Sequence, residues 1–378
     1  MKITFSVIKA DVGSIGGHTR PSEAQMKTLR ERVSDACADS KHLLIDGLVT
    51  HTGDDMALIM SHEHGVGARP IHEFAWNCFL AATEVAKSEG LYGAGQDLLV
   101  DAPSGNIRGA GPGVAEIAFE RDPKSNERPA EAILVFAGDK CSPGLFNYPL
   151  YSLFCDPMHS GGLLLSPKLH KGFTLTIIDM DHRGNSDRLI RLDVPERAWD
   201  VAALLQNPDR FAIEQIHSRH KPDEQIVAVS ATRLHNIAGK YTGKDDPVAV
   251  VRTQGIFPAP EEAVEPYLLG HFVTGDCRGS HVMPLMPVAV DTAVTGPYCL
   301  PLISCLAFSM DANGRFSHQY VDMFGSPVWD ETRRKVQRKA DEWRRQGFVG
   351  PTMAAQAELA YTGIIDTLEK LGKEFFLR

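Results

Sequence analysis

The stretch Thr4–Asp11, TFSVIKAD, is where the fold first becomes legible. Residues 3 to 12 are strongly apolar and read as a buried strand, which delivers a carboxylate, Asp11, at its end. Ala132–Asp139, AILVFAGD, repeats the pattern and ends on Asp139. A carboxylate placed at the end of an apolar strand often faces a site.

Working outward, RPSEAQMKTLRERVSDACADS (20–40) predicts a helix. Ser22 and Gln25 form a capping-box start, and Met26, Leu29 and Val33 share one face. HLLIDGLVTHTGDDMALIMSH (42–62) reads as two strands joined by a turn at Gly53-Asp54, residues that suit tight turns. A second helix is predicted over 70–89. Further strands are predicted at 113–120, 132–137, 172–180, 188–194, 211–217, 226–232, 247–253 and 301–309, with helices at 196–206, 328–346 and 356–372. The polar run 120–131 reads as a loop between strands. Strands and helices do not alternate steadily, which argues against a doubly wound nucleotide fold and for packed α and β layers in a single domain, 1–378.

The chain has 378 residues, 43% hydrophobic and 23% charged, an ordinary globular composition. A net charge of -9 argues against a nucleic-acid surface, since phosphate binding needs a basic face. It suits a protein that gathers carboxylates around cations. The seven cysteines form no C-x-x-C pair, so neither a disulfide framework nor a zinc ribbon is indicated. The first residues, MKITFSVIKADV, lack a signal-peptide pattern, and no apolar run reaches spanning length, so a cytoplasmic protein is expected.

Oxygen-rich residues gather at predicted strand ends and turns: Asp11, His18, Asp54, Asp55, Gln96, Asp97, Asp139, Asp245 and Asp246. Oxygen ligands with one imidazole suit magnesium or manganese. Each carboxylate taken singly also fits a solvated turn. Two or more magnesium ions in such a set would hold phosphate oxygens and activate water, the chemistry of a phosphomonoesterase. GKYTGKDDP (239–247) sets Lys244 beside two aspartates. These raise a lysine pKa unless cations offset them, in which case the amine becomes available as a nucleophile with Tyr241 as proton donor and acceptor. A surface turn with a lysine–aspartate pair is the competing reading. SGNIRGAGPGVAE from Ser104 and CRGSH from Cys277 could receive phosphate, although neither is a P-loop.

Together these segments resemble the bifunctional fructose-1,6-bisphosphate aldolase/phosphatase family of archaea and deeply branching bacteria. The matching stretches are FSVIKADVGSIGGH, THTGDDMALIMSH, LYGAGQDLL, SGNIRGAGPGVAE, DKCSPGLFNYPLY, IAGKYTGKDDPV, RGSH with PLMPV, and DETRR, in family order from residue 4 to about 334. The resemblance implies an α+β fold in four α-β-β-α layers, an octamer, and one site with two activities. Dihydroxyacetone phosphate would form a Schiff base and condense with glyceraldehyde 3-phosphate. The fructose 1,6-bisphosphate formed would lose its 1-phosphate, leaving fructose 6-phosphate. By position, Lys244 is similar to the Schiff-base lysine, Tyr241 to the aldol acid/base and Asp11 to the residue that activates water. Implied ligands for three or four Mg2+ ions are Asp11, His18, Asp54, Asp55, Gln96, Asp139, Asp245 and Asp246. Implied sugar-phosphate contacts are His18, Tyr92, Gly105, Asn106, Lys140, Gln254, Arg278 and Tyr361. The segment 241–246 would move between the two steps, presenting the lysine and then the aspartates. Where the family reads F-D-G-P-P, this chain has VTGPY (294–298), so Thr295 or, through a short gap, Asp291 takes the place of a sugar-binding aspartate. The competing functions are a magnesium-dependent sugar phosphatase in which Lys244 only binds phosphate, and a non-catalytic metabolite-binding protein.

Overall fold

The computed structural model describes residues 2–39, 43–98, 111–120, 130–182, 186–230, 244–254, 258–276, 280–297, 300–345 and 364–378. A four-stranded antiparallel sheet is built from β1 (Lys2–Ala10), β2 (Asp46–Thr52), β3 (Asp55–His62) and β4 (Gly113–Glu120), in the order β2-β3-β1-β4. Thr52 pairs with Asp55, so β2 and β3 are joined by the two residues Gly53-Asp54. Gly53 takes φ 58, as tight hairpins of this length demand.

Two helices cover one face of that sheet: α1 (Glu23–Ala38) and α2 (Arg69–Ser88). The capping box is formed: the Gln25 N–H donates to Ser22 Oγ, and the Ser22 N–H donates to Gln25 Oε1. Met26, Leu29 and Val33 of α1 and Ile71, Ala75 and Phe79 of α2 bury against Ile8, Leu58 and Met60.

A ten-stranded sheet holds most of the remaining strands. These are β5 (Ala130–Asp139), β6 (Phe173–Asp179), β7 (Arg188–Val194), β8 (Phe211–Ser218), β9 (Gln225–Val229) and β10 (Val248–Thr253). A separate hairpin follows, β11 (Phe272–Asp276) with β12 (Ser280–Pro284). The large sheet is completed by β13 (Met286–Pro287), β14 (Leu302–Asp311), β15 (Val321–Asp322) and β16 (Phe376–Leu377). Its order is β13-β14-β5-β10-β9-β8-β6-β7-β16, with β15 beside β14. Among the described pairings only β13 with β14 is parallel, so the exclusion of a doubly wound fold holds.

Apolar residues fill the space between the two sheets: Ile3, Phe5, Val7 and Ile117 from the small one meet Val135, Val248, Val250 and Phe308 from the large one. The other face of the large sheet (Phe136, Leu175, Ile177, Ile213) packs on helices α3 (Asn147–Cys155) and α5 (Ala198–Leu205). The remaining helices are α4 (Gly161–Leu165), α6 (Pro260–Val264), α7 (Asp330–Arg345) and α8 (Ile364–Gly372). None of the described helices is long and apolar enough to cross a membrane.

Sequence expectations and structure differ at element ends. The strand expected over 3–12 stops at Ala10, which leaves Asp11 free of the ladder and turned into a loop. The 226–232 strand ends at Val229, and its last two residues lie outside the described set, as do 356–363 of the last expected helix and 121–129 of the polar loop. Helix α3 and the β11–β12 hairpin were not predicted.

Candidate active site

Chain ends from both sheets converge on one edge. Asp11 follows β1, whose Ala10 pairs with Met56, so the β2–β3 turn with Asp54 and Asp55 lies beside it. Asp139 ends β5, and Pro247 leads into β10 beside it, with the Gly138 N–H donating to the Pro247 carbonyl at 3.0 Å. The facing edges therefore bring four carboxylates together from two sheets. Among the described residues, ligand atoms lie within 4.8 Å of one another in each of two groups: Asp11, His18 and Asp54 form one, Asp55, Asp139 and Asp246 the other.

Three lysines tie the groups. Lys140 Nζ donates to Asp54 Oδ1 at 2.7 Å and Asp139 Oδ1 at 2.8 Å, bridging the two sets. Lys9 Nζ pairs with Asp55 Oδ2 and donates to the Asp246 carbonyl at 3.0 Å. Lys244 Nζ reaches Asp245 Oδ1 at 2.9 Å and Asp97 Oδ2 at 3.3 Å. His18 Nδ1 lies 3.0 Å from Asp54 Oδ2, and its ring meets Tyr92 edge-on with centroids 5.0 Å apart.

The backbone is shaped for this crowding. A Cβ at Gly53 would overlap the Asp139 carboxylate. Lys140 and Asp246 adopt φ 59 and 45, left-handed values uncommon for residues other than glycine and often found at functional sites. The left-handed Asp246 turns the chain between Lys244 and β10. On extended chain, Lys244 and the two aspartates cannot all face one small site. Here the chain bends, so Lys244 and Asp245 meet at Asp97 while Asp246 joins Asp55 and Asp139.

Seven carboxylates thus surround three ammonium groups, and the charge imbalance is visible in their protonation. Burial, with Asp54 adding to it, pushes Asp11 up to about 6. Burial pushes Asp139 up to about 7, against the pull of Lys140. Asp97 and Asp246 are also raised, again by burial first. Burial would raise Asp54 too, but Lys140 and the His18 hydrogen bond hold it below the usual carboxylate range. Hydrogen bonds to Asp11 and Asp54 lift His18 to about 10. For Lys244, burial favours the neutral amine, yet Asp245, Asp97 and Asp55 outweigh it and keep the ammonium form. Buried carboxylates that resist ionisation for want of positive charge fit a site for divalent cations. The donor set, carboxylate oxygens with one imidazole, suits hard cations.

A family model described as fructose-1,6-bisphosphatase matches residues 2–376. The chain is 52% identical over 375 residues, 99% of its length and 100% of the relative's, to a Thermus thermophilus protein named fructose-1,6-bisphosphate aldolase/phosphatase. This chain belongs to the fructose-1,6-bisphosphate aldolase/phosphatase family. Curated relatives of the same name occur in the archaea Cenarchaeum symbiosum, 45% identical over 96% of this chain and 91% of the relative, and Methanothermobacter marburgensis, 42% identical over 99% of each.

Of the residues that family resemblance points to, Asp11, His18, Asp54, Asp55, Asp139, Lys140, Lys244, Asp245 and Asp246 meet in this cluster. Gln96 opens the 3-10 turn whose next residue, Asp97, bonds Asp11. Tyr92 is exposed against His18. Gln254 is not brought to the cluster: it follows β10 at the end opposite Asp246, roughly 20 Å away at the usual strand rise. Asp291 is committed to β2, accepting from the His51 N–H at 2.8 Å. Thr295 is exposed, but Val294 beside it donates to the Thr19 carbonyl at 2.8 Å, near His18. Gly105, Asn106, Tyr241, Arg278 and Tyr361 lie outside the described residues.

Lys9 escaped the sequence reading. Its signal was a charge inside an apolar strand, two residues before Asp11 and so on the same face.

Proposed function

We propose that this chain carries both activities its relatives' name states, with one site serving both. It would condense dihydroxyacetone phosphate with glyceraldehyde 3-phosphate and then hydrolyse the 1-phosphate of fructose 1,6-bisphosphate, in the service of gluconeogenesis. The observation that carries this reading is the meeting of a buried lysine, Lys244, with a cluster whose carboxylates outnumber its lysines.

Asp11, His18, Asp54, Asp55, Gln96, Asp139, Asp245 and Asp246 would hold Mg2+, three or four ions in all. These would neutralise phosphate oxygens and make water more acidic. The chain's own groups do the rest. Offsetting the negative charge around Lys244 lets its amine lose a proton and attack the substrate carbonyl carbon. Tyr241 would pass protons to and from the aldol oxygen. In hydrolysis Asp11 would take the proton of the attacking water. Lys140, with His18, Tyr92, Gly105, Asn106, Gln254, Arg278 and Tyr361, would receive the sugar phosphate. Gln254, set apart within one chain, would meet a site only from a neighbouring copy, which accords with an octamer. Movement of 241–246 would exchange the lysine for the aspartates between steps.

The helix and sheet faces described above accord with four α-β-β-α layers in a single domain, 1–378, and the absence of a spanning helix among the described residues accords with a cytoplasmic enzyme. The test supplies both triose phosphates with magnesium and follows fructose 6-phosphate and free phosphate together. Formation of both supports the reading. Phosphate release from fructose 1,6-bisphosphate, but none from triose phosphates, would leave only a phosphatase.

A further inference from the structure

Lys244 is received by two carboxylates that differ in kind. Asp245 is its chain neighbour and moves wherever the lysine's segment moves. Asp97 belongs to another part of the molecule, the 3-10 turn Gln96–Leu98. That turn is fixed: Leu98 is buried in the α1–α2 core, and the Leu98 N–H donates to the Gly95 carbonyl at 3.0 Å. Asp97 also exchanges two hydrogen bonds with Asp11. Its N–H donates to the Asp11 carbonyl at 2.9 Å, and its Oδ2 accepts from the Asp11 N–H at 2.9 Å. The same Oδ2 takes Lys244 Nζ at 3.3 Å. One buried oxygen thus registers the amine against the end of β1, where the first carboxylate group begins. Gly113 clears the path of the lysine stem, since a Cβ there would stand 3.3 Å from Lys244 Cγ.

We infer that Asp97 is the positioning residue of the Lys244 amine, the fixed anchor that sets it beside the carboxylate cluster for attack on a carbonyl substrate. This rests on the reading of Lys244 as the Schiff-base lysine. The covalent change joins Lys244 Nζ to the carbonyl carbon and releases the carbonyl oxygen as water, with both protons of the neutral amine. Asp97 gives up no atom in it. Its effect is geometric, and it bears on the aldol step far more than on hydrolysis, which needs no amine.

Asp97→Asn is the sharpest variant. It keeps the size of the side chain and an oxygen for the Asp11 N–H, and replaces the carboxyl contact to the Lys244 amine by an amide one. Misplacement of a reacting group by about 1 Å costs on the order of 100-fold. The ratio of aldol to phosphatase kcat is therefore expected to fall about 10- to 100-fold, with the KM for dihydroxyacetone phosphate changed far less than the aldol kcat. Borohydride trapping of dihydroxyacetone phosphate on Lys244 should slow by the same factor, while the melting curve stays cooperative. Asp97→Ser, which retains a short oxygen acceptor, should give the same split. Lys244→Met supplies the blank for trapping. No adduct in the wild type overturns the Lys244 reading and this inference with it. A wild-type adduct with trapping and activity ratio unchanged in Asp97→Asn overturns the inference alone. So does an equal fall in both activities, or failure of both Asp97 variants to fold, because the carboxylate would then serve the fold and not the lysine.

Discussion

Asp139 and Asp179 close two strands of the same sheet, β5 and β6, which four antiparallel pairings leave running in the same direction. They end on one edge, separated by roughly 19 Å at the usual strand spacing. In sequence the two look alike, AILVFAGD and FTLTIID, and both carboxylates are buried. Their company differs. Asp179 meets Arg188 Nη1 at 2.5 Å and two nitrogens of Arg210 at 3.0 Å. Burial would raise it, but Arg210 and then Arg188 hold its carboxyl below the usual range. Among the described residues Asp139 is ion-paired with Lys140, which it shares with Asp54, and it is pushed up to about 7, by burial first. A strand-end carboxylate is thus not a site by itself. Balanced charge marks a structural tie, and unbalanced charge marks a place that awaits cations.

The largest break between the two regions should come from activity. Asp54→Asn is expected to lower both aldol and phosphatase rates by on the order of 100-fold or more, since one neutral amide weakens the cation set both phosphates need. Asp179→Asn should leave the rate per folded molecule near wild type. Near-normal phosphatase in Asp54→Asn at low magnesium would contradict the assignment.

Stability should respond in the opposite sense. Asp179→Asn leaves two arginines without their partner and is expected to cost about 1–3 kcal/mol, discounted because Arg210 is partly open to solvent. Asp139→Asn removes a charge that has too few partners, so in a chelator it should cost less than Asp179→Asn or even stabilise. Denaturant melts of both variants decide this, and a larger loss at Asp139 would sink the contrast.

A cation effect follows. Magnesium at about 100 times its dissociation constant stabilises a folded protein by about 2.7 kcal/mol per independent site. Added chelator should therefore lower the wild-type melting temperature, with a smaller drop in Asp139→Asn and an unchanged one in Asp179→Asn.

The smallest effect concerns acid. Asp179 has a folded-state pKa below its unfolded value, so its contribution is full above the unfolded value near 4 and is lost as pH falls through the folded value. Stability of Asp179→Asn should fall less steeply with acid than that of wild type. Parallel pH curves below about pH 5 would remove Asp179 from the acid response.

Much of this was legible in the chain itself because local rules and tertiary packing agree there. The Ser22–Gln25 box starts α1, and the Gly53-Asp54 turn sets the β2–β3 register. The carboxylates at strand ends were readable as candidates. What decides between Asp139 and Asp179 was not, since Arg188 reaches Asp179 across the β6–β7 pairing and Arg210 from the residue before β8, and neither alignment shows in local sequence. Helix α3 was hidden because NYPLYSLFC has little polar face and contains Pro149, which is tolerated only because it falls in the first turn. The bend at Asp246 was also hidden, because a left-handed aspartate has no local signature of its own.

The central claim is that one site holds two separable chemistries, an amine for carbon–carbon bond formation and a carboxylate cluster for hydrolysis. It is tested most directly by phosphate release from Lys244→Met, measured side by side with triose phosphates and with fructose 1,6-bisphosphate in magnesium. The account predicts release from fructose 1,6-bisphosphate at a measurable fraction of the wild-type rate, and release from triose phosphates lower by at least about 1,000-fold. Equal loss from both substrates in a well-folded variant, or continued release from triose phosphates, would contradict it.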